Sequence, residues 1–181
     1  MRIRGQILFL AGALVAMGAG WVGFPYALYD RKPQPVDFSH KVHTGEKAGA
    51  MKCDDCHAFR EDGSFAGIPK LEKCSGCHSA ALGTTVAEKK FIEQYVTPNR
   101  EPEWESYSRQ PDNVYFSHAA HVKRGKLACD RCHGAHGTTN TLPVKFEDRI
   151  SGYGKGIKKM DNCEDCHHQN KLNQSCMDCH K

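Results

Sequence analysis

The chain has 181 residues, enough for about one domain, and carries a formal net charge of +4. Its apolar residues amount to 39%, but this figure includes ten cysteines and a strongly apolar N-terminal segment. The remainder is too polar to offset its ordering entropy by side-chain burial alone, which excludes an ordinary apolar core and predicts that a prosthetic group serves as one.

The N-terminal segment contains an uncharged run from Ile7 to Leu28. As a helix, this run would span about 33 Å, enough to cross a bilayer. A cleaved secretory signal is the alternative, although its apolar stretch is normally only about 7–15 residues long. Arg2 and Arg4 precede the run and predict a cytoplasmic N-terminus. The predicted organisation is a cytoplasmic N-terminus (1–6), a transmembrane signal-anchor helix (7–28) and a periplasmic domain on a single-pass inner-membrane protein (29–181).

Two similar elements follow along the chain. Both have the form F-S-H-x-x-H, at 38–43 and 116–121, and each lies ahead of a cysteine motif. This repetition predicts an internal duplication of the chain, with repeats at about 35–81 and 112–181.

Two further segments of the chain are predicted to contain little regular structure. Residues 86–95 have helical periodicity, which prolines at 98, 102 and 111 then end. Residues 138–159 are predicted to form a second long loop, either a docking segment or a plain surface excursion. No alternating strand is predicted.

Five copies of C-x-x-C-H use all ten cysteines. This motif is the attachment signature of c-type haem, because two thiols three positions apart can add to the two vinyl groups while the next residue faces the iron. Five covalent haems are therefore predicted. The predicted thioether residues are Cys53, Cys56, Cys74, Cys77, Cys129, Cys132, Cys163, Cys166, Cys176 and Cys179, and the proximal iron ligands are His57, His78, His133, His167 and His180.

Other uses of cysteine pairs fit this pattern poorly. Structural zinc would not need a histidine after every second cysteine, and five disulfides would not explain five histidines. A thioredoxin-like redox pair would occur once.

Six histidines remain as distal ligands for five haems. The two histidines of each F-S-H-x-x-H element are three positions apart, hence neighbours on one helical face, and are predicted to bind two different haems. Met51 and Met160 are the rival ligands and would raise the potential of a haem. The six candidates are His40, His43, His118, His121, His136 and His168; the spare one could bind a sixth haem held in a non-standard way.

The paired histidines and Cys166-His167-His168 resemble the class III cytochromes. That resemblance implies a haem-cored fold of mostly short helices and irregular loops, with the first histidine pair, the second pair and His168 as distal ligands to different haems. The N-terminal anchor and the segments 35–46 and 111–118 are also similar to the membrane-anchored multihaem subunits of the menaquinone reductase (Qrc) and alternative complex III family.

This family resemblance implies the function. The chain would relay electrons between a soluble periplasmic cytochrome c and two partner subunits, one iron-sulfur/molybdopterin-type and one integral and quinone-binding. It would be a non-catalytic electron-transfer subunit without catalytic residues. The alternatives are a quinol-oxidising alternative complex III subunit, an autonomous membrane-anchored quinol dehydrogenase and a catalytic multihaem reductase, which would need one iron with an open position.

The charge fits a protein partner and not a nucleic acid. Ten ionised haem propionates on five ferric haems would bring the soluble part to about −2. A net acidic surface can receive a basic cytochrome, whereas nucleic-acid binding needs a net positive surface.

Overall fold

The structure is a computed structural model that describes residues 2–180. One continuous helix begins the chain and comprises α1 (Arg2–Gly18), a π-helical turn (Ala19–Gly23) and α2 (Phe24–Leu28). Pro25 lies in the first turn of α2 and has no N–H to donate. In the turn before it the hydrogen-bond register widens, so that Phe24 N–H donates to Ala19 O.

This N-terminal helix is exposed along its length. Residues Ile3–Leu28 (26 residues) are long and apolar enough to cross a membrane, and none of their most apolar window is buried against the described chain. At 1.5 Å per residue they extend about 39 Å. A secretory signal sequence meets the same criteria. The helix, which contains the predicted run 7–28, is thus compatible with membrane anchoring; Met1 and Lys181, at the ends of the predicted segments, lie outside the described residues.

Two short strands connect the end of this helix to the second half of the chain. β1 (Tyr29–Lys32) follows α2 directly and pairs antiparallel with β2 (Lys145–Asp148), with Tyr29 opposite Asp148. The segment that follows the N-terminal helix is therefore paired with β2 from its first residue.

These strands contradict the expectation that no strand would form. Both consist mainly of charged residues, so they lack the apolar alternation that marks a strand in a sequence. Their association is helped by an ion pair between Arg149 and Asp30, 3.4 Å apart, and by Arg149 N–H donating to Leu28 O at 2.9 Å. The predicted loop 138–159 therefore contains β2.

The rest of the described chain is made of short helices and loops, as predicted. The helix expected at 86–95 is present as α6 (Val86–Phe91), which a π-helical turn (Ile92–Val96) follows. The helices are α3 (His40–Thr44), α4 (Cys53–Cys56), α5 (Leu71–Ser75), α6 (Val86–Phe91), α7 (Asp130–His133), α8 (Met160–Gln169) and α9 (Cys176–Cys179), with shorter 3-10 or π turns at Glu46–Ala48, Ile92–Val96, Ala119–Arg124 and Ala135–Thr138.

The apolar core is very small. Among the described residues, Leu71 (3% exposed) and Phe91 (8%) are the large apolar side chains that are buried. Leu71 begins α5 and its N–H donates to Glu101 Oε2 at 2.8 Å. Two buried side chains supply only about 3–6 kcal/mol of apolar burial, far below the entropy cost of ordering such a chain. The fold therefore needs additional buried material.

We expect removal of one cysteine pair to destabilise the domain. Cys129→Ala together with Cys132→Ala would remove the covalent attachment of one cofactor, a loss of the kind that costs several kcal/mol. For a chain of this size the Tm would fall by roughly 2–4 °C per kcal/mol, as measured by circular dichroism. The matched control is Asp130→Ala with Arg131→Ala, which changes the residues between the cysteines and should leave Tm nearly unchanged. An equal Tm in both variants would contradict the expectation.

Candidate haem-binding sites

Each cysteine motif is helical. In four motifs it forms one turn in which the histidine N–H donates to the carbonyl of the first cysteine, and the remaining motif, Cys163 to His167, lies within α8, which continues to Gln169. All ten cysteines are free thiols. The four hydrogen bonds are His57 to Cys53 (2.8 Å), His78 to Cys74 (2.9 Å), His133 to Cys129 (3.0 Å) and His180 to Cys176 (2.8 Å).

Four of these histidines stand opposite a histidine from one of the F-S-H-x-x-H elements. The ring centres are separated by 6.0–6.4 Å. The pairs are His57 with His40 (6.4 Å), His78 with His43 (6.0 Å), His133 with His118 (6.3 Å) and His167 with His121 (6.1 Å).

This separation fits two imidazoles bound in trans to one iron. With a metal–nitrogen bond of about 2.0–2.1 Å, and a ring centre about 1.1 Å behind the nitrogen, trans ligands would have ring centres about 6.3 Å apart. The donor set also fits haem c, because a C-x-x-C pair of free thiols lies next to each motif histidine. The residues present are thus suited to hold the group on both faces.

Hydrogen bonds at Nδ1 orient most of these rings. An Nδ1–H that donates to a carbonyl leaves Nε2 as the unprotonated nitrogen that can bind a metal. Glu88 Oε1 is the one side-chain acceptor in this group and accepts from His78 at 2.9 Å. The other four acceptors are backbone carbonyls: Gly67 O for His57 (2.8 Å), Ser39 O for His43 (2.8 Å), Ser117 O for His121 (2.8 Å) and Asn173 O for His167 (3.1 Å).

The residues shared by the two F-S-H-x-x-H elements each have a structural role in the first copy. Phe38 stacks on His43 at 4.3 Å and meets His40 edge-on at 5.0 Å. Ser39 Oγ accepts the N–H of Val42, which caps α3. The element therefore positions both imidazoles locally.

The second copy has the same arrangement in a different helical form. Phe116 stacks on His121 at 4.8 Å and meets His118 edge-on at 4.9 Å. Ser117 Oγ accepts the N–H of Ala120 at 3.2 Å, although this turn is π-helical whereas α3 is an α-helix. The ring arrangement is thus independent of the type of turn.

Partial burial lowers the pKa of three of these histidines, His40, His118 and His133, and so favours their neutral form. Burial lowers the pKa of His40, helped by the nearby imidazoles of His57 and His136, and burial also lowers the pKa of His118. Neutral imidazole is the form that binds a metal. His40 Nδ1 is a buried nitrogen without a hydrogen-bond partner among the described residues.

The other three candidate ligands are not arranged as such pairs. His136 lies 6.5 Å from His133 and 5.7 Å from Tyr107, between ring centres. His168 is exposed on α8 directly after His167. In the described chain, neither His168 nor His180 makes a ring contact.

The influence of one thiol on the pKa of another indicates which motifs are neighbours. Burial raises the pKa of Cys129, and a hydrogen bond and charge interaction with Cys53 raise it further. Burial and then the nearby Cys56 raise the pKa of Cys74. Burial, and then the nearby Cys179 and Cys132, raise the pKa of Cys163.

Two further residues were not singled out from the sequence. Phe65 stacks on His118 at 4.2 Å and lies 6.5 Å from His57, so it connects the two halves of the chain. Nothing near Phe65 in the sequence indicates this. Glu88 follows Thr85 by three positions, and this T-x-x-E spacing is typical of a helix cap, which hides its contact with His78.

Comparisons with known proteins agree with this geometry. Residues 25–101 match the class III cytochrome c family, and residues 114–181 match cytochrome c7 and related cytochromes c. A multihaem cytochrome c subunit of menaquinone reductase from Nitratidesulfovibrio vulgaris (strain Hildenborough) is 41% identical over 192 residues, covering 98% of this chain and 90% of that relative.

A free thiol pair beside each motif histidine, within a fold of short helices and loops, defines a class III multihaem cytochrome c, an electron-transfer protein with covalently bound haem c. The chain belongs to the family of the menaquinone reductase multihaem cytochrome c subunit. The predicted fold class and family resemblance are thereby confirmed.

We expect loss of one paired histidine to change the spin state of one iron. His121→Ala would leave the iron at His167 with a single protein nitrogen, giving a high-spin signal in low-temperature electron paramagnetic resonance. Phe116→Leu is the matched control, because it removes the stacked ring and keeps the nitrogen, and it should retain a fully low-spin spectrum. A low-spin spectrum for both variants would argue against the pairing.

Proposed function

We propose that this chain is the electron-transfer subunit of a membrane-bound menaquinone reductase. It relays electrons between a soluble periplasmic cytochrome c and two partners, an iron-sulfur/molybdopterin-type subunit and an integral quinone-binding subunit. The near full-length similarity to a menaquinone reductase subunit supports this assignment. The observation that carries the relay is the set of four histidine pairs at ring separations of 6.0–6.4 Å.

Five haems are proposed, numbered 1 to 5 by the order of their motifs in the chain. Haems 1 to 4 take the four histidine pairs as axial ligands. Each F-S-H-x-x-H element thus supplies ligands to two haems. Its first histidine binds the haem of the next cysteine motif along the chain, and its second histidine binds the haem of the motif after that. This repetition supports the proposed duplication of the chain.

His168 is the proposed distal ligand of haem 5. It follows the proximal ligand of haem 4, and the Cys163 and Cys179 thiols of haems 4 and 5 interact. His136 lies instead beside His133 and is charge-coupled to His40. It is the ligand available to a sixth haem held in a non-standard way.

The haems are proposed to form a series in the order 2, 1, 3, 4, 5. His40 and His43 are three residues apart on α3, which places haems 1 and 2 side by side. His118 and His121 do the same for haems 3 and 4. Phe65, which contacts His118 and lies near His57, links haem 1 to haem 3, and the Cys53 thiol is close enough to Cys129 to raise its pKa. Haem 3 is then the middle member of the series.

The helix Ile3–Leu28 is proposed as the membrane anchor, with residues 29–181 in the periplasm. Haem attachment to exported thiols and the two arginines ahead of the helix agree with this orientation. A soluble cytochrome can then reach the haems from the aqueous side, while the quinone remains in the membrane.

The test uses the detergent-purified membrane complex. Pyridine haemochrome and intact mass give the haem count, and stopped-flow spectroscopy follows electron transfer from a reduced periplasmic cytochrome c to a menaquinone analogue. We expect five c haems per chain and quinone reduction only when the partner subunits are present. Quinol oxidation without the reverse reaction would instead indicate the alternative complex III function, and quinone turnover by the isolated chain would indicate an autonomous dehydrogenase.

The haem order predicts where a trap for electrons should act. His118→Met would replace one nitrogen ligand of haem 3 by sulfur and raise its potential, because thioether ligation favours ferrous iron. Electrons would collect in the middle of the series, and quinone reduction would slow by about tenfold or more if the potential rises by about 60 mV. Val86→Met is the control, because it adds a methionine at an exposed position that holds no proposed ligand, and it should leave the rate unchanged. Unchanged rates in both variants would contradict the order.

A further inference from the structure

Glu88 is a carboxylate in an unusual position at the start of α6. Thr85 Oγ1 accepts the N–H of Glu88 at 3.2 Å, as expected for a helix cap. In the usual reciprocal arrangement the glutamate would bond the N–H of the capping residue. Here it turns instead toward the preceding loop and accepts the N–H groups of Leu82 (2.8 Å) and Gly83 (2.9 Å).

The same carboxylate accepts a hydrogen bond from a proposed proximal ligand. His78 Nδ1 and Glu88 Oε1 are 2.9 Å apart, with side chains 21% and 11% exposed. Two backbone N–H groups and the imidazole thus fix Glu88 in a place largely shielded from water. Its position is set by the loop and not by a flexible surface conformation.

Haem 2 thereby differs from the other proposed haems. The Nδ1 hydrogen bonds described for His43, His57, His121 and His167 all end on neutral backbone carbonyls. Among the described histidines, His78 has a carboxylate as its Nδ1 acceptor.

An anionic acceptor changes the ligand. It draws the Nδ1 proton toward itself and makes the imidazole a stronger electron donor, and a stronger donor stabilises ferric iron more than ferrous iron. We propose that Glu88 is a positioning residue that lowers the reduction potential of haem 2 relative to the same haem with a neutral acceptor. This inference rests on the proposed ligation of haem 2 by His78. It implies that haem 2, at one end of the proposed series, has a lower reduction potential than it would have with a neutral acceptor.

The test is a potentiometric titration of the purified holoprotein, followed by optical and electron paramagnetic resonance spectra. Glu88→Gln keeps an oxygen for His78 and removes the charge. We expect one of the five redox components to shift upward by about tenfold in its reduction equilibrium, equal to about 59 mV for one electron. The resonance signal of one low-spin iron should change with it. Glu88→Asp, which keeps the charge, should restore much of the lower potential.

Glu93→Gln is the matched control, because Glu93 lies one turn further along the same helical segment and is exposed. Its potentials should match those of the wild type. Unchanged potentials in Glu88→Gln, with five low-spin haems retained, would overturn this inference alone. Equal shifts in the Glu88→Gln and Glu93→Gln proteins would overturn it as well, since they would reflect only net charge. A wild-type protein whose haem-peptide mass shows no haem on Cys74 and Cys77 would overturn both this inference and the proposed ligation.

Discussion

The pairing of two histidines from distant parts of the sequence, which would hold one haem iron between them, is the constraint on which the proposed fold depends. In each pair, one imidazole follows a cysteine motif and the other comes from an F-S-H-x-x-H element elsewhere in the sequence. Each iron would therefore close a loop of the chain, and α3 would take part in two such loops. With only Leu71 and Phe91 as large buried apolar side chains in the described chain, these closures replace the contacts that normally order a domain.

This dependence makes folding inseparable from cofactor attachment. The local turns are formed by hydrogen bonds that do not involve the haem, such as the caps at Ser39 and Thr85. The long-range arrangement is supported by the short, charged strands β1 and β2 and by scattered hydrogen bonds, such as those from Lys41 N–H to Thr139 O (3.0 Å) and from Tyr115 N–H to Cys179 O (2.8 Å). Haem attachment would thus convert a set of preformed turns into one domain, in the manner of small metal-dependent folds.

The sequence predicts the chemistry far better than the arrangement. The haem attachment motif C-x-x-C-H can be recognised in a sequence because it consists of only five consecutive residues. The number of motifs then gives the number of proximal histidines. The pairing of His43 with His78 is not readable, because it depends on where two distant turns meet. β1 and β2 cannot be predicted because charged four-residue strands have no hydrophobic periodicity. The contact of Glu88 with His78 is missed because the spacing of Glu88 from Thr85 is already explained by a helix cap. All the cysteine and histidine assignments remain predictions; the geometry brings eight histidines together in four pairs and leaves His136, His168 and His180 without an opposing histidine of their own.

The direct passage from α2 into the paired strand β1 limits how the cytochrome can move. A domain on a flexible tether samples many heights and tilts above the bilayer and can carry electrons by diffusion. Here the chain leaves the helix at Leu28 and is held immediately by β2 and by Arg149. If the helix spans the membrane, the haem series stays at one height and one inclination. On the proposed function, an aqueous partner would then have to travel to it, and a membrane-bound acceptor would have to lie permanently within electron-transfer distance of one end.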